Sequence, residues 1–201
     1  MFITCLDLEG VLIPEVWINF AKKTGIEKLK LTTRDIADYD ELMTLRLEII
    51  KEHKLTLQDI QEVIGSMDPF PGAKEFLDWL RRQCQVVILS DTFVEFAKPL
   101  MEKLGMPTLF CHELETDEKG VIVNYHLRLK DHKRKAVMAF RDLNFNTIAA
   151  GDSFNDLSML DEADHGIFFR PPENFKERFP QHPIVTEYSE FKTAIQSRLT
   201  A

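Results

Sequence analysis

The sequence predicts an α/β fold: a doubly wound parallel sheet with an inserted helical cap and a small β-hairpin. The main evidence is three apolar runs of four or five residues: Phe2 to Leu6, Val86 to Leu89 and Thr147 to Gly151. Such runs, without polar alternation, are typical of strands buried on both faces, as in a parallel sheet covered by helices. From residue 71 onward, helical and strand-like segments alternate, which is the pattern of a doubly wound fold.

The segment between the first two strands has an all-helical pattern. Three helices are predicted there: Glu15 to Thr24, Asp40 to His53 and Leu57 to Ile64. Pro and Gly residues at 68–72 end this pattern, and no strand-like run interrupts it. We therefore expect a helical cap domain at 14–68, inserted into a core made of 1–13 and 69–201.

The remaining elements follow in order toward the C-terminus. They are a helix from Ala73 to Gln83, a helix from Phe93 to Leu104, a short strand from Thr108 to Cys111, a helix from Lys133 to Leu143, a short helix through Leu160, a strand from Gly166 to Phe169 and a helix from about Ser189. Between His112 and Arg128, two polar strand candidates flank the turn residues 117–120, which predicts a β-hairpin.

Composition restricts the classes of function. The chain has 201 residues, 44% of them hydrophobic, which suits one globular core with a modest insertion. The formal net charge of −8 argues against a nucleic-acid or membrane partner, because both attract basic surfaces. The first apolar run breaks at Asp7 and no stretch of about 18 apolar residues occurs, so we expect a cytoplasmic protein. Its three widely spaced cysteines are expected to be reduced thiols.

Each of the three apolar runs is followed directly by polar side chains. Asp7 follows the first run, Ser90 and Asp91 follow the second, and Asp152 follows the third. Ligands of open parallel sheets bind at the carboxyl ends of the strands. If the three strands lie side by side, these side chains converge on one cleft, and their chemistry suits a divalent cation and a phosphate.

Two pairs of carboxylates stand at these strand ends. Asp7 and Glu9 can face one cleft, one as a nucleophile and the other as an acid and base, although acidic residues also cap strand ends without catalysis. Asp152 and Asp156 form the second pair. Mg²⁺ takes about six oxygen ligands and keeps several waters, so Asp7, Asp152 and a substrate phosphate would suffice. Mn²⁺ accepts the same ligands and stays open as an alternative.

The segment after the second strand is predicted to open a helix. Thr92 and Glu95 have the spacing of a capping box. The exposed amides of such a turn can bind an anion, although an ordinary helix start gives the same pattern.

Two cations lie on apolar helical stripes. Lys133 is on the face that should pack against the sheet, and Arg46 is in the middle of a stripe in the predicted cap. Each side chain either extends past the apolar surface into water or projects into a cleft to meet an anion. Glu15 stands in the first turn of a helix, where a carboxylate is favoured in any case, and it is also well placed to accept an ammonium group.

The order and spacing of these motifs resemble the haloacid dehalogenase superfamily. The matching segments are Asp7-x-Glu9-Gly10-Val11, Ser90-Asp91-Thr92, Lys133 and Gly151-Asp152-x-x-Asn155-Asp156. The helical insertion after the first motif resembles the phosphoserine phosphatase branch. Glu9 stands where most phosphatases of the superfamily have Asp. This form of the motif resembles the bifunctional phosphoserine phosphatase/homoserine phosphotransferase family, and the similarity extends over the whole chain.

The resemblance implies a Rossmann-like core of the haloacid dehalogenase type and a catalytic pair. Asp7 would attack phosphorus to form an aspartyl-phosphate, and Glu9 would act as the acid and base. Mg²⁺ would be held by the Asp7 carboxylate, the backbone carbonyl of Glu9 and Asp152.

The resemblance also implies a set of binding residues. Ser90, the amide of Asp91 and Lys133 would hold the phosphoryl oxygens, and Asp156 would orient Lys133. The remaining contacts to L-phosphoserine would come from three residues: Glu15 to the amino group, Arg46 to the carboxylate and Asn155 to the phosphoryl region.

The activity implied by the resemblance is Mg²⁺-dependent hydrolysis of L-phosphoserine, with homoserine as a possible second phosphoryl acceptor. One alternative is a phosphatase for another small phosphate ester, since the core motifs serve many substrates. Another is a phospho-accepting signalling domain, which also has an acidic Mg²⁺ pocket. The cap and Glu9 disfavour the signalling domain, because such a domain needs a lasting phospho-aspartate.

Overall fold

The computed structural model describes residues 1–32, 35–36 and 38–200. Within these ranges, seven strands form one sheet in the order β4-β3-β2-β1-β5-β6-β7. The strands are β1 (Phe2–Leu6), β2 (Gln85–Phe93), β3 (Leu109–Thr116), β4 (Ile122–His126), β5 (Asn146–Gly151), β6 (His165–Phe169) and β7 (Ile184–Val185). Neighbouring strands pair in parallel except β3 and β4, which form an antiparallel hairpin. The predicted fold class is confirmed.

The helices of the described residues cover both faces of this sheet. They are α1 (Val16–Thr24), α2 (Tyr39–Glu52), α3 (Leu57–Gly65), α4 (Ala73–Leu80), α5 (Val94–Lys103), α6 (His132–Asp142), α7 (Leu157–Glu162), α8 (Phe175–Arg178) and α9 (Tyr188–Leu199), with 3₁₀ turns at Glu27–Lys30 and Phe154–Asp156. None of these helices has both the length and the apolar character needed to cross a membrane. The elements α8, β7 and the first 3₁₀ turn were not predicted from the sequence.

The register of the central strands places their carboxyl ends together. Leu6 of β1 pairs with Ile88 of β2 on one side and with Ala150 of β5 on the other. The chain leaves β1 and β5 at the same edge of the sheet, and the Asp7 amide donates a hydrogen bond to the Ala150 carbonyl at 2.8 Å. Asp7 and Asp152 therefore enter the same cleft.

Apolar side chains cover the sheet on both faces. One face packs into a large cluster that includes Phe20, Phe76 and Phe96, and the other packs into a smaller cluster around Met159 and Phe168. These side chains are fully buried. Burying each of them contributes about 2–3 kcal/mol relative to leaving it in water. Burial of the strands on both faces explains why they appear in the sequence as continuous apolar runs.

The helical segment between β1 and α4 contacts the rest of the protein through apolar packing, as between Trp17 and Phe96, and through polar bonds. The Tyr39 hydroxyl of α2 donates to the backbone carbonyl of Asp91 at 3.2 Å. Gln61 Nε2 of α3 donates to the carbonyl of Glu95 at 2.8 Å. The two bonds join the helical segment to β2 and α5, beside the carboxyl edge of the sheet.

The predicted capping box of Thr92 and Glu95 is wrong. Strand β2 continues through Phe93, which pairs with His112 of β3, and α5 begins only at Val94. The Glu95 carboxylate instead accepts the Leu114 amide of β3 at 3.0 Å. Pairing with a neighbouring strand extended β2 beyond the point where its local sequence indicates a helix start.

Candidate active site

Lys133 lies at the centre of the cleft and is 4% exposed. Its Nζ donates to Asp7 Oδ1 at 2.9 Å and to Asp156 Oδ1 at 2.8 Å, and it lies 3.2 Å from Asp91 Oδ2. Burial disfavours the ammonium group, but the three carboxylates outweigh burial and hold the pKa of Lys133 well above its ordinary value. Of the two alternatives for this lysine, the structure therefore shows the one in which it meets anions in a cleft.

Asp7, Asp152 and Asp156 form an acidic group whose oxygens lie within 4.8 Å of one another. Burial first, and then the charge of Asp156, raises the pKa of Asp152 to about 7. The same two causes raise the pKa of Asp7 well above its usual range, although Lys133 opposes them. One ammonium group cannot balance three carboxylates when all of them are ionised, and every possible ligand atom in this group is an oxygen. This donor set fits Mg²⁺.

Asp156 is bound mainly to protein donors. Its Oδ2 accepts the amides of Asp152 and Ser153 at 3.1 and 3.2 Å, while its Oδ1 accepts Lys133. Ser153 and Asp156 form a capping box at the second 3₁₀ turn. Because both Asp156 oxygens are already engaged, its geometry suits orientation of Lys133 better than metal ligation.

Glu9 lies next to this group on the side of the helical segment. Its Oε2 accepts the Val16 amide at 2.9 Å, at the start of α1. Burial and then the charge of Glu15 raise the pKa of Glu9 to about 8, and the Val16 amide and Arg46 only partly oppose them. Glu9 therefore carries a proton near neutral pH, as a general acid must.

The raised pKa of Glu9 predicts a pH-dependent stability for the protein without metal. Between the ordinary pKa of 4.5 and the folded value of about 8, the folded state binds more protons than the unfolded chain. The free energy of unfolding should therefore fall as pH rises through this window, and Glu9→Gln should make the fall shallower. Urea unfolding in EDTA at several pH values measures how the free energy of unfolding changes with pH in the unmodified protein and in Glu9→Gln. Equal slopes for the two proteins would contradict the raised pKa of Glu9.

Arg46 of α2 has a buried side chain, which is 6% exposed. Its guanidinium lies 4.4 Å from the centroid of the Trp17 ring, and its Nη2 donates to the carbonyl of Leu31 at 3.0 Å. Among the described residues, its Nε has no hydrogen-bond partner. Burial lowers the pKa of Arg46 to about 10, although Tyr39, Glu9 and Glu15 oppose this. The Arg46 side chain is thus buried and does not extend past the apolar surface into water, and one of its donors is unused among the described residues.

Ser90 and Asn155 complete the set of predicted residues. The buried Ser90 Oγ accepts the Thr92 amide at 3.2 Å, near the end of β2. Asn155 Nδ2 donates to Asp91 Oδ2 at 3.1 Å. The structure thus brings Asp91 and Asn155 to Lys133, whereas Glu9, Glu15 and Arg46 form a neighbouring group under the helical segment.

Three residues at this site were not predicted from the sequence. Tyr39 reaches the Asp91 carbonyl, and two buried histidines, His112 and His132, face the Asp91 carboxylate. The position of His132 directly before Lys133 was a usable signal. Tyr39 and His112 gave no such signal, because their positions depend on how α2 and β3 pack.

Comparison with known proteins shows which family the chain resembles. The family model for haloacid dehalogenase-like hydrolases matches residues 5–164. The chain belongs to the haloacid dehalogenase-like hydrolase family. The matched span includes every predicted site residue, and the resemblance inferred from the motifs is confirmed.

Relatives of known name are similar over nearly the whole chain. Phosphoserine phosphatase ThrH of Pseudomonas aeruginosa is 60% identical over 192 residues, which cover 96% of this chain and 94% of the relative. A phosphoserine phosphatase of Pseudomonas syringae is also 60% identical, over 94% of this chain and 80% of the relative. A solved phospho-aspartyl intermediate analogue of phosphoserine phosphatase superposes with a TM-score of 0.76 at 20% identity, covering 96% and 97% of the two chains. This last similarity supports the fold.

Proposed function

We propose that this hydrolase is a Mg²⁺-dependent phosphoserine phosphatase that can also transfer the phosphoryl group to homoserine. The observation that carries the proposal is the buried Asp7 carboxylate at the end of β1, held at 2.9 Å by Lys133 and adjoining Asp152. Two relatives at 60% identity are named phosphoserine phosphatases, which supports the choice of substrate. The name ThrH of one of them is consistent with transfer to homoserine.

Asp7 is the proposed nucleophile. Lys133 holds its Oδ1, so Oδ2 is the oxygen that attacks phosphorus. The new O–P bond gives an aspartyl-phosphate as the bond from phosphorus to the serine oxygen breaks, which divides one difficult displacement into two easier ones. Ser90 Oγ, the Asp91 amide and Lys133 bind the non-bridging oxygens and stabilise the charge that develops on them.

Glu9 is the proposed acid and base. Its raised pKa of about 8 means that it holds a proton that it can give to the departing serine oxygen. It then accepts a proton from the water, or from the homoserine hydroxyl, that attacks the aspartyl-phosphate. Mg²⁺ bound by Asp7, the Glu9 carbonyl and Asp152 would offset the phosphate charge as a Lewis acid.

The helical segment at 14–68 is proposed to act as a cap that reads the amino acid part of the substrate. Arg46 would bind the carboxylate of L-phosphoserine through its unused donor, and Glu15 would bind the ammonium group. Pairing of both charges by opposite groups favours an amino-acid phosphate over an uncharged phosphate ester.

Arg46→Met should lower kcat/KM for L-phosphoserine by about 100-fold, because a charged hydrogen bond to the carboxylate is lost. Phosphoethanolamine has no carboxylate, so its kcat/KM should change by less than about threefold in the same variant. Arg46→Lys keeps the positive charge but lacks the planar guanidinium, so its loss in kcat/KM for L-phosphoserine should be smaller than that of Arg46→Met. Equal losses on both substrates would contradict the proposed carboxylate contact.

The test of the proposed function is phosphate release from L-phosphoserine with Mg²⁺, with and without homoserine. Phosphate release that declines as phosphohomoserine forms would support a shared aspartyl-phosphate and both activities. Release that homoserine leaves unchanged would support hydrolysis and overturn transfer. The absence of any turnover would overturn the proposed substrate and favour another small phosphate ester.

A further inference from the structure

The Asp91 carboxylate contacts two histidines, and the proposed chemistry uses neither this carboxylate nor these rings. His132 Nε2 is 3.1 Å from Asp91 Oδ1, and His112 Nε2 is 3.6 Å from the same oxygen. The other oxygen, Oδ2, faces the Asn155 amide at 3.1 Å and the Lys133 ammonium at 3.2 Å. Each side of one carboxylate is thus occupied by a different pair of groups.

The surroundings of the histidines assign their tautomers. His112 Nδ1 accepts the backbone amide of Arg128 at 3.3 Å, so its ring proton must be on Nε2, which faces Asp91. In the part of the chain that the structure describes, the buried His132 Nδ1 has no hydrogen-bond partner. A proton on His132 Nε2 makes the bond to Asp91 that the geometry shows. Both rings therefore direct an N–H at Asp91 Oδ1.

This assignment is incompatible with a metal ion between the same three side chains. An imidazole that binds a metal through Nε2 carries its proton on Nδ1 and donates it to a further acceptor. The Nδ1 of His112 faces an amide donor, and the Nδ1 of His132 has no acceptor within the described residues. The cluster is therefore built to hold a carboxylate.

The carboxylate is ionised in this setting. Burial alone would raise the pKa of Asp91, but Lys133 and the two imidazole N–H groups outweigh burial and hold the pKa well below its usual range. Burial lowers the pKa of His132, only partly opposed by Asp91, so this ring stays neutral. A fixed negative charge is thus held beside Lys133 by the N–H groups of the two imidazole rings.

We propose that Asp91, fixed by His112 and His132, is a positioning residue that sets Lys133 and Asn155 for the phosphoryl group. Both of these groups approach its Oδ2, so rotation of the carboxylate would displace them together. The inference rests on the proposed function, in which Lys133 and Asn155 contact the phosphoryl group. It adds two histidines that act through Asp91 and do not touch the substrate.

The kinetic test compares two replacements of the same histidine. His132→Leu removes the donor and should lower kcat about 10-fold with KM changed less than threefold, whereas His132→Gln supplies an N–H and should restore most of the loss. Asp91→Asn presents an amide N–H₂ to Lys133 and Asn155 or to the imidazoles, and should lower kcat about 10- to 100-fold. A full kcat in His132→Leu, or equal losses in the Leu and Gln variants at equal melting temperature, would overturn the proposal.

A second substrate and an NMR measurement distinguish a failure of this proposal from a failure of the proposed substrate. The kinetics are measured with L-phosphoserine and with p-nitrophenyl phosphate, so a failure on phosphoserine alone contradicts the substrate and leaves the comparison of variants intact. The nitrogen NMR spectrum of the histidine rings, recorded at pH 7 without substrate, needs no turnover. A proton on Nε2 and none on Nδ1 is expected at both His112 and His132, and a proton on Nδ1 of either ring would overturn the proposal.

Discussion

Asp7→Asn should lower the rate of phosphate release from L-phosphoserine by about 10⁴-fold or more. The amide cannot form the aspartyl-phosphate, and no other carboxylate among the described residues has the same position at the end of β1 beside Lys133. Asp156 does not substitute, because its carboxylate is bound to a backbone amide and to Lys133. Stopped assays with Mg²⁺ and saturating substrate measure the loss. Activity within about 100-fold of the unmodified enzyme would eliminate Asp7 as the nucleophile.

The same substitution should leave the metal-free protein at least as stable as the unmodified one. The pKa of Asp7 is raised because burial and Asp156 disfavour its charge, so the folded state gains nothing from ionising it. The side-chain carbonyl of Asn can still accept a hydrogen bond from Lys133, and Lys133 keeps its hydrogen bond to Asp156. Thermal unfolding in EDTA checks this expectation. A large drop in melting temperature would contradict this expectation and mean that part of the lost activity reflects damage to the fold. The rate of the variant would then be divided by its folded fraction before comparison.

The convergence of the site could be predicted because the central strands are buried on both faces. Continuous apolar runs identify such strands, and parallel strands share one carboxyl edge, so Asp7 and Asp152 had to meet if β1 and β5 were neighbours. That the three strands lie side by side entered the sequence analysis only as a condition. Local sequence could not supply it, because pairing depends on the order in which whole strands pack.

The sequence could not predict how deeply a side chain is buried or which strand pairs with which. Helical periodicity places Arg46 on an apolar face, but it does not distinguish a side chain that reaches water from one stacked on Trp17. Thr92 and Glu95 had the spacing of a capping box, yet β3 paired with the end of β2 and supplied the Leu114 amide instead. In both cases a tertiary contact decided between two local possibilities. The histidines at Asp91 were missed for the same reason.

Gly151→Ala should remove activity and destabilise the fold by about 2–4 kcal/mol. An added Cβ at Gly151 would overlap the side chain of Asp156, well inside contact distance of its Cβ and carboxylate. Asp156 is fully buried and bound to the amides of Asp152 and Ser153, so it cannot move aside without losing these bonds and its contact with Lys133. Close packing leaves the added methyl group no space.

Gly65→Ala is the matched control for this substitution. A Cβ at Gly65 meets no atom within 4 Å, and the residue lies at the end of α3, where alanine is a better helix former than glycine. This variant should keep full activity and equal or slightly higher stability, as measured by urea unfolding and phosphate release. If Gly151→Ala were as stable and active as Gly65→Ala, Asp156 would be mobile. Its role in holding Lys133 against Asp7 would then have to be abandoned, because a side chain that moves so readily cannot fix the ammonium group.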